Sequence, residues 1–122
     1  RLFGPVFIET ENVTPEEARL MDRSSVEDVY KLIIDDLKYA ADMEALPNKR
    51  SKEDLGRVSR LAAKGLLAKV YLTLGNLTES RKLLEQIEIT KLHQLLPYEQ
   101  VFSIQKEMND EILFAVRYKA GG

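Results

Sequence analysis

From Ser24 onward the apolar positions follow helical spacing. Val26, Val29, Tyr30, Ile33, Ile34, Leu37, Ala40 and Ala41 form one stripe, with Lys31, Asp35, Lys38 and Asp42 opposite. The pattern predicts a first long helix near 25–46, capped by Ser24 with Glu27 or by Ser25 with Asp28, and ended at Pro47-Asn48. The polar run "NKRSKEDLGR" then reads as a solvated loop. A second helix, near 59–74, is apolar on two arcs: Ala62, Ala63, Leu66, Leu67, Val70, Tyr71 and Leu74 on one, Leu61, Gly65, Ala68 and Leu72 on the other. A helix apolar nearly all round is an inner element of a helical stack. Ser59 supplies its cap and Gly75-Asn76 its stop.

A third helix, near 77–88, follows in "TESRKLLEQI", with Ser80, Leu83, Leu84 and Ile87 on one side; it forms an antiparallel hairpin with the second. The first helix is expected to lay Val29, Ile33, Leu37 and Ala40 on the Ala62, Leu66 and Val70 arc. Around these, "RLFGPVFIE" reads as a helix end stopped by Gly4-Pro5 and a short extended run. "NVTPEEARLM" holds a brief helix with Thr14 as cap, Pro15 in first position and Glu17 closing a capping box. Residues Tyr98 to Ile104 suggest a helical turn or two. "DEILFAVRYK" alternates, with Ile112, Phe114, Val116 and Tyr118 facing one way, which predicts a half-buried strand or extended arm.

The hairpin matches one tetratricopeptide unit: Lys64, Leu67, Ala68 and Tyr71 stand at the W-x2-L-G-x2-Y positions, and Ser80 and Leu84 at the small residue and Phe of the next helix. The first aromatic and terminal Pro of that pattern are missing. Stacked repeats bury both faces of their first helix, which accounts for the two apolar arcs.

Composition narrows the function. At 122 residues, with 44% hydrophobic and 31% charged content, the chain is a globular domain of a size that builds its own core. Its 18 basic and 20 acidic residues give a net charge of −2, well mixed, so no basic stripe invites nucleic acid. No cysteine is present, which removes disulfides, thiolate metal sites and a cysteine nucleophile. No apolar run reaches the roughly 18 residues of a membrane span, and no signal peptide is visible. The opening "RLFGP" without an initiator Met suggests a piece of a longer protein.

Several motifs in series resemble the SusD/RagB family of outer-membrane nutrient-binding lipoproteins. "RLFGPV" resembles the family's helix end and Gly-Pro turn, with Phe7 where a second Pro is usual, and "RSSVEDVYKLIIDDLKYA" resembles its R-S-x-x-E-x-V-Y helix. "GRVSRLAAKGLLAKVYLTLGN" resembles G-R-x-S/T-x-x-A-A-x-x-L-L-A-R-V-Y-L, and "YEQVFSIQKEMNDEILFAVRY" resembles Y-x-x-x-F followed by N-x-E-x-I-F-x-V. The resemblance implies an all-α fold of tetratricopeptide-like antiparallel hairpins, a SusD-like α/α superhelix with a short C-terminal extended segment. Residues 1–122 would be a single helical domain, a fragment of the longer protein. It further implies a protein lipid-anchored at the cell surface on the outer membrane, which captures oligosaccharide or a related nutrient, without cleaving it, for a SusC-like TonB-dependent transporter. Ligand-contacting residues are not carried over, because the family's binding aromatics lie mostly in variable loops and outside these motifs.

Candidate chemistry is thin. His93 is the single histidine and has no second ligand at metal spacing, so a surface or interface role is expected. Asp35 and Asp36 are adjacent on a helix and point apart, which argues against an acid–base pair; a solvated Asp35 and a buried cap or ion pair for Asp36 are expected. Asn12 and Asn76 fit the N-x-[ST] pattern, Asn76 more simply as a helix cap. Tyr30 and Tyr71 sit on apolar stripes as core; Tyr39, on the shoulder of the first helix, and Tyr98, in a loop, are the remaining candidate rings, and neither is expected to touch a ligand. No catalytic, metal or cofactor set emerges, and an enzyme is not expected. The alternative to glycan capture is a tetratricopeptide-like adaptor binding a peptide in its groove, for which further repeats after Ile87 are expected. Because Leu61, Ala68 and Leu72 form a second apolar arc, and Leu2 and Phe3 a helix stub, self-association through these surfaces is a further expectation.

Overall fold

The computed structural model describes residue 6 and residues 12–116. The helix end in "RLFGPV", most of the extended run after it, and Arg117–Tyr118 lie outside the described residues. The chain divides into two compact units, residues 1–36 and 37–122.

In the first unit, helix α1 (Pro15–Leu20) begins with the expected capping box: the Glu17 amide donates to Thr14 Oγ1, and the Glu17 carboxylate accepts from the Thr14 amide at 2.8 Å. Those hydrogen bonds hold the Glu17 carboxyl below its ordinary pKa. Helix α2 (Val26–Asp42), whose residues after Asp36 belong to the second unit, takes the second of its two predicted caps. The Asp28 amide donates to Ser25 Oγ at 3.0 Å, and Ser25 Oγ donates to Asp28 Oδ2 at 2.6 Å. The helix stops at Asp42, four residues before the predicted end. Pro47 disfavours helical backbone at Leu46, and a turn in which the Leu46 amide donates to Met43 O replaces the last helical turn.

The second unit is built on the hairpin of α3 (Arg60–Thr73) and α4 (Leu77–Ile89). Ser59 caps α3 through its hydroxyl, which accepts from the Ala62 amide at 3.2 Å, and Asn76 caps α4 by accepting from the Glu79 amide. Between them Gly75 takes φ +79°, a left-handed conformation in which any other residue except Asn or Asp is strained. The tetratricopeptide match has a physical basis here. Ala68 is small enough for α4 to approach, and the buried Ser80 donates its hydroxyl to Ala68 O at 2.9 Å.

The core runs through Ala41, Leu61, Ala62, Ala63, Leu67 and Ala68. That corrects the expected use of α3. Its first turn is buried all round, and later turns bury the Leu67–Ala68 side toward α4, while Leu66, Lys69 and Thr73 line an exposed edge. Leu66, placed by the sequence at the centre of a packed arc, is 53% exposed; Leu61 and Ala68, expected to lack cover, are each 1% exposed. The buried face draws on both arcs, Ala62, Ala63 and Leu67 from the first and Leu61 and Ala68 from the second, and the Ser80–Ala68 contact lies on it. On α4, Ser80, Leu83 and Ile87 turn inward, but Leu84, at the position of the repeat's Phe, is exposed.

After α4 come the short helix α5 (Tyr98–Val101) and a 3-10 turn at Ile104–Lys106, within the predicted window. Of the two predicted forms the strand is not taken, since among the described residues there is no strand, and the extended-arm alternative is the one left; Ile112 is half-buried beside its neighbour Leu113, so the burial does not alternate strictly. Leu113 and Ala115 are half-buried, whereas Phe114 and Val116 are exposed. An isolated extended segment has no ladder partner for its amides. Leu113 is instead drawn onto α3, where it lies over Gly65; a Cβ there would meet Leu113 Cδ1 at 3.0 Å. Gly65 therefore admits a side chain rather than a second backbone.

Candidate functional site

Two features of the second unit combine polar or aromatic groups with a recess. The first is an open groove of about 360 Å³ between the Val101–Ile104 turn and the Glu107–Val116 segment, lined by Val101, Phe102, Ile104, Met108, Ile112 and Val116. At its rim, Tyr98 and Phe102 stack one helical turn apart, ring centroids 5.2 Å and planes tilted by 58°. Both rings are largely exposed. The lining is mostly apolar, with Ser103 and Glu107 as its polar side chains, fewer than the set of converging groups that orients a polar ligand.

The second feature is a polar junction joining three loops. Lys49 donates to Leu92 O at 2.8 Å and pairs with Asp110 Oδ1. Asp110 O in turn accepts from the Gln94 amide at 3.2 Å and lies 3.0 Å from His93 Nδ1. A carbonyl only accepts, so Nδ1 carries the proton and Nε2 is the bare nitrogen. Nε2 is fully shielded and has no hydrogen-bond partner among the described residues. Burial pushes the imidazole below its ordinary pKa; the Asp110 carbonyl opposes this, the Lys49 charge adds to it, and the Asp110 carboxylate opposes it. Lys49, by hydrogen bond and charge, holds the Asp110 carboxyl below its usual range.

These placements refine the sequence reading. His93 is neither a ligand nor a plain surface residue but a half-buried tie between loops. Its partners lie far along the chain, and nothing near His93 in the sequence points to them. Asp35 is exposed as expected; Asp36, expected to be buried in a cap or ion pair, is exposed too, because the Val26–Asp42 stripe turns both carboxylates outward. Asn12 is exposed, and Asn76 acts as the α4 cap. Tyr30 and Tyr71 are half-buried on their stripes, and Tyr39 and Tyr98 project outward. Tyr39 sits on α2, apart from the groove's lining. Among the described residues no cluster of His, Asp or Glu has metal-binding geometry, and no helix is long and apolar enough to cross a membrane.

Comparison with known proteins places this geometry in context. A family model described as "Starch-binding associating with outer membrane" matches residues 1–72. A SusD-like protein from Bacteroides ovatus is 32% identical over 130 aligned positions, covering 97% of this chain and 23% of its relative. SusD-like protein P25 from Formosa agariphila is 29% identical over 118 positions, 96% of this chain and 22% of the relative. The crystal structure of a SusD-like protein from Bacteroides fragilis superposes with a TM-score of 0.82 at 26% identity, over 98% of this chain and 24% of that one. Surface glycan-binding protein A from Bacteroides uniformis superposes at 0.81; at 21% identity, over 95% of this chain and 26% of that one, it shows a shared fold. The chain thus spans about a quarter of the length of the proteins it matches.

Proposed function

The chain belongs to the SusD-like family, and on that premise we propose that it is a helical scaffold segment of a cell-surface glycan-binding protein of the outer membrane. The observation that carries the reading is that the family match reaches into the core: the matched residues 1–72 include α1, α2 and most of α3, whose Leu61, Leu67 and Ala68 are buried, while α4 follows the matched stretch. In this reading the protein works by binding and hand-off, with no covalent step. Its oligosaccharide contacts lie largely in the parts of such a protein beyond this segment. The partner that receives the glycan is a SusC-like TonB-dependent transporter, and a lipid anchor holds the whole protein at the cell surface.

The chemistry of the segment supports a structural role. The caps, the Gly75 turn and the Ser80–Ala68 bond all serve the hairpin. A glycan site needs flat rings together with hydrogen-bond groups aimed at sugar hydroxyls. The Tyr98–Phe102 pair has rings tilted to one another, beside a mostly apolar groove. Such a surface fits contact with neighbouring protein better than contact with sugar. Contact between copies remains part of the proposal through Leu66, Leu72 and the groove rim, which stay exposed, and no longer through Leu61 and Ala68.

The test is titration calorimetry with a starch oligosaccharide, run on this chain and on the longer parent protein, beside co-purification of the parent with its transporter. Binding by the parent and not by this chain is the expected pair of results. A parent that neither binds glycan nor retains a transporter overturns the proposal.

A further inference from the structure

The polar junction around His93 has features that the scaffold role does not require. One carbonyl, Asp110 O, holds both the His93 ring and the Gln94 amide. Two residues further on, the Leu96 amide donates to Glu111 Oε2 at 2.8 Å. The 92–96 loop is therefore fastened to the 109–113 segment by three neighbouring contacts. Each segment is entered through a non-glycine residue in left-handed backbone, Lys91 at φ 55° and Met108 at φ 56°. Such conformations are disfavoured for side-chain-bearing residues and persist only where surrounding contacts hold them.

We propose that His93 is an acid-releasable latch, whose protonation frees the 92–96 loop from the 109–113 segment. In the closed arrangement a proton added to the ring must go to Nε2, which is shielded and faces no acceptor among the described residues. The charged groups gathered around the small cavity beside His93 give it little help. Lys49, Arg50 and Arg57 come from the loop before α3, with Lys52 close enough to act on Asp110. Asp110 is the one carboxylate acting on the ring, and it is already paired with Lys49; Asp54 is paired with Arg57. An imidazolium is thus favoured when the loop has opened and Nε2 reaches water. Met108 and Ile112 line both this cavity and the apolar groove, so release also loosens one wall of the groove.

The sign follows from linkage. The ring binds its proton less readily closed than open, so closure is favoured at neutral pH and lost progressively as pH falls below the open-state value near 6.5. The experiment is amide hydrogen exchange on the full chain at pH 7.5 and 5.5, corrected for intrinsic rates, with the His93 ring titrated by NMR in the same samples. Protection at Gln94 and Leu96 should fall up to about tenfold across this window, while protection at Ser80, in α4, stays level. Both pH values lie above the ordinary carboxylate range, and Lys49 holds Asp110 lower still, which separates His93 from Asp110. His93→Asn keeps a donor toward Asp110 O and cannot titrate; its Gln94 and Leu96 protection should be flat over the window. Unchanged wild-type protection, an equal fall in His93→Asn, or a His93 ring that titrates above 6.5 overturns the proposal. If His93→Asn does not fold, the wild-type midpoint decides. Exchange that follows the ring's own titration supports the latch, and exchange that does not refutes it.

Discussion

Two leucines five residues apart on α3 offer a direct test of which face the helix buries. Leu61 is 1% exposed and is the largest side chain fully buried in the described residues, whereas Leu66 is 53% exposed. Leu61→Ala removes three carbon atoms from a packed site and leaves a cavity, a change that costs about 2.7–5 kcal/mol in comparable helical cores. Leu66→Ala deletes atoms already half in water. The same transfer argument leaves it roughly 1 kcal/mol, with little cavity to add. Small domains have only about 5–15 kcal/mol in total, so the first change consumes a large share of the reserve and the second a small one. Urea unfolding followed by helical circular dichroism should show a midpoint for Leu61→Ala far below wild type and one for Leu66→Ala close to it, with similar slopes. Equal losses for the two variants would refute the burial assignment and restore the packed arc centred on Leu66.

The hairpin and loops yield further expectations. Ser80→Ala should lower stability by about 1 kcal/mol, since the hydroxyl's bond to Ala68 O is lost while the carbonyl keeps its helical donor; denaturant titration reads it. Gly65→Leu should destabilise by about 1–3 kcal/mol, because the new side chain competes with Leu113 for the seat over α3, and Leu113→Ala should relieve part of that loss in a double-mutant cycle. Acid unfolding should carry an Asp110 component. Its carboxyl titrates lower folded than unfolded, so the stabilisation is present above the ordinary value near 3.8 and lost as pH falls through the folded one; Asp110→Asn should remove that limb.

The parts of this fold legible in the sequence are those set by residues a few positions apart. Thr14 with Glu17, Ser25 with Asp28, Ser59, and Gly75 with Asn76 each act within one turn, and all take the roles their spacing suggests. That α3 buries residues of both arcs was legible, but the boundary of the buried face was not: the contact of Ser80 with Ala68 O comes from α4, and Leu66 falls outside the face while Leu61 and Ala68 fall within it. The alternation failed as a strand signal over the described residues 112–116 for a related reason. Period-two patterning specifies a sheet only where a second strand is available, and Gly65 offers Leu113 a seat instead. His93 was legible as an isolated histidine and no more, since Lys49 and Asp110 reach it from distant loops. The early stop of α2 at Asp42 was not legible from Pro47, which sets an end at 46, although the hydrophobic stripe itself already ends at Ala41.

The central claim is that this chain is scaffold, with the glycan contacts of the protein supplied elsewhere. Titration calorimetry of the isolated chain with a starch oligosaccharide tests it most directly. The account predicts no saturable heat into the millimolar range and no difference between wild type and Tyr98→Ala, since it assigns no glycan contact to the exposed Tyr98 ring. Micromolar binding by the wild-type chain, abolished in Tyr98→Ala, would contradict it and place the sugar site on the rim of the groove.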